Sequence, residues 1–120
     1  MTNTQVSHAS DAPPPPPSTR QVVEDVELAL LLASTSPVGD VADAVRERLR
    51  GYIRTCAGAA EVRVRGLADG RERDIAVRGV GHARAVAEDP VHDPAANLRL
   101  LAMGARMVLQ YGSGDTGAVR

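Results

Sequence analysis

The sequence is poor in the side chains that small proteins most often use for catalysis or for stacking on ligands. Its 120 residues include no Trp, no Phe and no Lys, only two Tyr and a single cysteine, Cys56. One cysteine excludes an intramolecular disulfide and fits a reducing compartment. All the positive side chains are therefore arginines, which indicates the codon usage of a GC-rich genome.

A charge excess of one sign and long apolar runs are missing as well. The formal net charge is −1, so no overall field would attract nucleic acid or an anionic membrane. The longest apolar run, Leu28–Ala33, is far too short to span a bilayer. The N-terminus lacks a basic segment followed by an apolar run. We therefore expect no signal peptide, no membrane association and a cytoplasmic location.

The two ends of the chain differ in composition from its middle. Residues 1–17 are polar and finish in five consecutive prolines, Pro13–Pro17, which favour a stiff polyproline II spacer. We expect 1–17 to be a disordered proline-rich leader, 18–112 to be one helical domain, and 113–120 to be a disordered tail.

Between these ends, apolar residues recur every three or four positions, and local signals mark where helices begin. Ser18 and Asp93 precede apolar-periodic segments as N-cap residues, and Pro94 follows Asp93 at a first helical position. Asp40 is a third expected N-cap, and a further helix is expected over about 69–88. The pattern predicts an all-α protein, an antiparallel bundle of about four helices.

One segment has two interpretations. Glu61–Arg65 alternates strictly between apolar and charged residues, and Asp74–Arg78 could pair with it as a β-hairpin. The helical spacing of the preceding apolar residues continues through the same segment, and an isolated hairpin is poorly stable. Whether Glu61–Arg78 is helical or a hairpin stays open, with helix favoured.

The first and last helices each carry a second apolar face, more than one bundle of this size needs. A helix that is apolar nearly all round must be covered on both sides, so we predict a protein interface there, with a second copy or another protein as its occupant. The alternative is a bundle that packs unevenly and buries both faces itself. The predicted interface residues are Leu28, Leu31, Leu32, Leu100, Met103, Met107 and Tyr111.

Candidate catalytic and ligand-binding groups do not cluster in the sequence. His82 and His92 have no second ligand at helical spacing, and Cys56 falls on a core face. The Gly79–Gly81 pair follows no clear strand and has no third glycine or Lys-Ser/Thr pair. We therefore predict no metal, no cofactor and no enzymatic activity. A site assembled around His82 or His92 at a subunit interface is the catalytic alternative.

A nucleic-acid-associated regulator is the alternative from another functional class. Arg46, Arg50 and Arg54 are spaced four apart on the second helix, on the side opposite its apolar face, and such a row could follow phosphates. Asp43 and Glu47 interrupt this row, and no aromatic side chains stand beside it for base stacking. The pattern therefore argues against nucleic acid and for a charge-balanced exposed helix.

Three segments taken in order, Leu49–Ile53, Gly79–Arg84 and Leu98–Tyr111, resemble an uncharacterised actinobacterial family whose members are often labelled natural-product-biosynthesis proteins. Where similar proteins tend to have a glutamate after the second glycine, this chain has His82. The resemblance implies a short all-helical protein associated with biosynthetic gene clusters, and it implies no activity. We therefore expect a small non-catalytic interaction or accessory protein.

Overall fold

The structure is a computed structural model that describes residues 18–112. The expected leader, 1–17, and the expected tail, 113–120, lie outside the described residues. Within the described part the chain forms four α-helices and no strand, so the predicted all-α bundle is confirmed. The helices are α1 (Thr19–Thr35), α2 (Asp40–Arg65), α3 (Arg71–Glu88) and α4 (Pro94–Gly112).

The segment with two interpretations is helical. α2 continues to Arg65, a short turn follows, and α3 begins at Arg71, so the hairpin alternative is wrong. The burial of two nearby valines gives the physical reason. Val64 is fully buried whereas Val62 is 73% exposed, although a strand would place both on one face. Helical spacing puts Val64 on the core side with the rest of the α2 apolar face.

Two of the three expected N-caps are confirmed. The Ser18 hydroxyl accepts a hydrogen bond from the Gln21 backbone N–H at 3.1 Å, and Asp93 Oδ1 accepts one from the Ala96 N–H at 3.0 Å. The expectation for Asp40 is wrong by one residue, because Gly39 is the N-cap and Asp40 is the first residue of α2. Gly39 has a φ of +119°, a backbone conformation that would be strained in a residue with a side chain.

α4 is the helix around which the bundle is organised, because it packs against all three others. α2 and α4 form the central pair, with α1 on one side of this pair and α3 on the other. Of the four described helices, α1 and α3 are the two that do not touch. Short connections make helices that follow each other in the chain antiparallel. α1 and α4 also pack together, and they are antiparallel because the chain reverses its direction three times between them.

Small residues bring α3 and α4 close together. A Cβ added at Gly104 would lie 3.0 Å from the Ala83 Cβ and 3.2 Å from its Cα, so glycine is what permits this approach. The rest of the core is aliphatic and comes from all four helices. Its largest fully buried side chains are Leu49, Ile53, Leu98, Leu101, Val22, Val45, Val64, Val80 and Val108.

Candidate interaction surface

The α1 half of the predicted interface divides into three environments. Leu31 is 58% exposed and faces solvent, whereas Leu28 is half-buried against the core. Leu32 is buried within the core, so its assignment to an outward face is wrong. Successive residues of an α-helix are 100° apart, so Leu32 faces α2 and α4 although its neighbour Leu31 faces solvent. Leu31 is thus the residue of this half that a partner could reach most fully.

The α4 half is more exposed. Met103 is 61% exposed and Leu100 is 39% exposed. Met107 and Tyr111 are half-buried and pack against the core. The Met107 side chain lies over α3, because a Cβ added at Gly79 would come within 2.6 Å of its terminal carbon. Gly79 therefore provides the space that Met107 occupies, and part of the predicted second face is covered by α3 itself.

The exposed residues of the two helices form two stripes, which we call together the α1–α4 face. On α1 the stripe follows positions spaced by four, and on α4 it follows positions spaced by four and three. All six side chains are exposed. The α1 stripe is Val23, Glu27 and Leu31, and the α4 stripe is Arg99, Met103 and Arg106.

Because α1 and α4 pack together, helical spacing places both stripes towards the side where these helices adjoin. Asp25, on the opposite side of α1, accepts two hydrogen bonds from the Arg48 guanidinium of α2, at 3.0 and 2.9 Å. On α4, Met107 covers α3, and Arg106 lies 100° round the helix from it, on the side away from α3. The α1–α4 face therefore combines exposed apolar side chains with one carboxylate on α1 and two guanidinium groups on α4. Leu31 and Met103 were predicted from sequence, whereas Glu27, Arg99 and Arg106 were missed as members of a binding surface.

The arginine row on α2 is not the exposed row that the sequence suggested. Arg46 is 4% exposed, so its assignment as a nucleic-acid contact is wrong. Its Nε donates to Asn97 Oδ1 of α4 at 2.6 Å, and one terminal nitrogen donates to Asp43 at 2.9 Å. The other terminal nitrogen donates to the backbone carbonyls of Pro37 and Pro94, both at 3.2 Å. Arg46 thus joins α2 to α4 and to the α1–α2 connection.

Arg50 and Arg54 are also engaged within the protein. Arg50 donates to Glu47 and to the Asp89 carbonyl, both at 2.9 Å. Arg54 donates to Glu88 at 2.8 Å, and this hydrogen bond lowers the pKa of the Glu88 carboxyl. With one member buried and two paired to neighbouring acids and carbonyls, the row has little free capacity for phosphates.

The side chains considered for catalysis are a half-buried thiol and two exposed imidazoles. Burial raises the pKa of the half-buried Cys56 thiol, which disfavours the nucleophilic thiolate. His82 and His92 are exposed. Among residues 18–112, no three His, Cys, Asp or Glu side chains come close enough to hold a metal ion. Between residues 18 and 112, no helix combines the length and the hydropathy that a bilayer-spanning segment requires.

Two surface clefts border α3, and both are lined mainly by charged side chains. The first, of about 330 Å³, contains the Arg54–Glu88 ion pair. The second, of about 350 Å³, is lined by Arg65, Arg73, Asp74, Val77 and Arg78. Neither lining includes a Ser, Cys, His or Tyr side chain, so neither has the nucleophile and base of a hydrolase site.

Comparison with known protein families identifies the family of the chain. A model for a family of unknown function, DUF6415, matches residues 20–114, a range that contains almost all of the four helices. The protein belongs to this family. The expectation that the chain belongs to a family of uncharacterised function is confirmed, whereas the association with natural-product biosynthesis stays a prediction. The description of the family names no activity. No curated protein and no solved structure matches the chain.

Proposed function

We propose that this member of the family is a non-catalytic protein that works by binding protein through its α1–α4 face. The observation that carries the proposal is the exposure of Leu31 and Met103, 58% and 61%, on adjoining helices. Apolar side chains clustered at a surface and bordered by charges are typical of protein-binding sites. Methionine suits such a surface because its unbranched side chain adapts to a partner.

The scarcity of reactive side chains among the described residues supports the same proposal. Burial raises the pKa of the Cys56 thiol. The clefts beside α3 are lined largely by arginines, and four of these, Arg54, Arg65, Arg73 and Arg84, already pair with carboxylates. We place the protein in the cytoplasm because its single cysteine is free, which fits a reducing compartment. An accessory role in natural-product biosynthesis is part of the proposal, and it rests on the sequence resemblance alone.

Site-specific photo-crosslinking in the native cell tests the α1–α4 face directly. A photoreactive phenylalanine analogue replaces Leu31 or Met103, and Val62, which is 73% exposed on α2, serves as the matched control position. We expect protein adducts from positions 31 and 103, identified by mass spectrometry, and none from position 62. Equal adduct formation at all three positions, or none at any, would contradict the proposed function.

A further inference from the structure

The two stripes of the α1–α4 face carry opposite charges. The α1 stripe carries Glu27, with the Arg20–Glu24 ion pair beside it, whereas the α4 stripe carries Arg99 and Arg106, and α4 contains no acidic residue between Pro94 and Gly112. Among residues 18–112, no ion pair involves Glu27, Arg99 or Arg106, and Glu24 pairs only with the highly exposed Arg20, at 3.6 Å. These charges are therefore available to a partner.

A second copy of the chain is the partner that complements both stripes at once. Because α1 and α4 lie side by side, a two-fold axis parallel to them places α1 of one copy on α4 of the other, and the reverse contact forms at the same time. Each acidic stripe then meets a basic stripe, while Leu31 and Met103 lie between them. An unrelated acidic helix on α4 would leave Glu27 of α1 without a positive partner.

The positions of the charges along the helices fit this arrangement. Glu27 lies eight residues after the start of α1 and Arg106 lies six before the end of α4. The two helices are antiparallel, so these residues are roughly 12 and 9 Å from the same end of the bundle. An axis parallel to the helices keeps each residue at its own level. Glu27 of one copy therefore comes opposite Arg106 of the other.

The area of the face limits the strength of the contact. Helices of 17 and 19 residues are about 26 and 28 Å long, and each is about 10 Å wide. The face covers roughly 500 Å² in projection on each copy, near the lower end for specific interfaces. Such a contact is expected to have a dissociation constant in the micromolar range. Salt should weaken it, since its charges lie at an exposed rim.

From this complementarity we infer that the α1–α4 face forms a symmetric homodimer, in which Glu27 of each copy pairs with Arg106 of the other. The inference rests on the proposed function, because it requires this face to bind protein. It goes further by naming the occupant. It also predicts that the charges could be exchanged between the two helices without loss of the dimer.

Sedimentation velocity of the full chain from about 5 to 200 µM, followed by interference optics because the chain has no Trp, measures the assembly. The wild type is expected to shift from monomer to dimer over this range. Glu27→Arg and Arg106→Glu each place like charges opposite one another at both contacts of the dimer. Each is expected to raise the dissociation constant about tenfold or more. The double variant, Glu27→Arg with Arg106→Glu, should restore the dimer.

Mixing the two single variants is the sharper test. In a two-fold arrangement, a Glu27→Arg chain and an Arg106→Glu chain pair opposite charges at both contacts. The mixture should therefore form a heterodimer although each variant alone is monomeric. Val62→Asp on α2 should leave the wild-type dimer unchanged. Far-UV circular dichroism checks folding, and Leu31→Ser, which is expected to weaken the dimer, replaces any charge variant that does not fold.

Several outcomes would overturn the dimer. These are a wild type that stays monomeric at 200 µM, single variants that dimerise as the wild type does, or a mixture that remains monomeric. If the wild type is monomeric while crosslinks from positions 31 and 103 capture a different protein, the dimer is wrong and the proposed function stands. If those positions capture nothing as well, both are wrong.

Discussion

Arg46 connects three parts of the fold, α2, α4 and the α1–α2 connection, through one buried guanidinium. Replacing it with Met would leave Asn97 Oδ1 and two backbone carbonyls without their donor, in a site that is 4% exposed. We expect Arg46→Met to lower the free energy of unfolding by about 2 to 4 kcal/mol, measured by urea denaturation. Arg63→Met, at an exposed position of α2, is the control and should change it by less than about 0.5 kcal/mol.

The Arg46–Asn97 pair can be separated from the rest of the network by a double-mutant cycle. Asn97→Leu together with Arg46→Met removes the orphaned acceptor, so the double variant should lose less free energy of unfolding than the sum of the two single variants. If the losses of the two single variants simply add in the double variant, the 2.6 Å hydrogen bond between Arg46 and Asn97 contributes little to the free energy of unfolding.

Tyr52 supplies a pH dependence with a definite sign. Burial raises its pKa from 10.0 to about 12, so the folded state holds the phenolic proton more tightly than the unfolded state does. Its contribution to stability is complete below pH 10 and is lost as the pH rises towards 12. We expect the free energy of unfolding to fall over that window, and to fall less in Tyr52→Phe. Tyr111→Phe, the matched control, keeps Tyr52 and should behave as the wild type.

At the scale of elements, the contact between α3 and α4 depends on one missing side chain. In Gly104→Ala the new Cβ would press on the Cα of Ala83, which is backbone and yields little, so we expect a loss of about 1 to 2 kcal/mol. Gly58 lies within α2 with open space around its Cβ direction, and Gly58→Ala should instead gain about 0.5 to 1 kcal/mol from helix propensity. Thermal unfolding of both variants checks this difference in sign.

Elements are also the scale at which the sequence was most informative. The Ser18 and Asp93 caps and the apolar spacing depend on neighbours within four residues, so the helices could be predicted from local pattern. Leu32 and Arg46 were misplaced because their burial depends on how far α1 and α2 rotate against α4. The buried Arg46 guanidinium donates to Asn97 and to the Pro94 carbonyl, which lie 51 and 48 positions away. No local pattern contains that information, and the pairing of stripes from α1 and α4 required the fold as well.

For the whole molecule, a dimer makes stability depend on protein concentration. A folded dimer that unfolds to two chains gains up to about 1.4 kcal/mol per mole of dimer for each tenfold rise in concentration, because mass action opposes dissociation. We expect the thermal midpoint of the wild type to rise measurably between about 10 and 500 µM. Arg106→Glu should show a constant midpoint, while its equimolar mixture with Glu27→Arg should regain the dependence. A wild-type midpoint that is independent of concentration would contradict the homodimer even if the fold is correct.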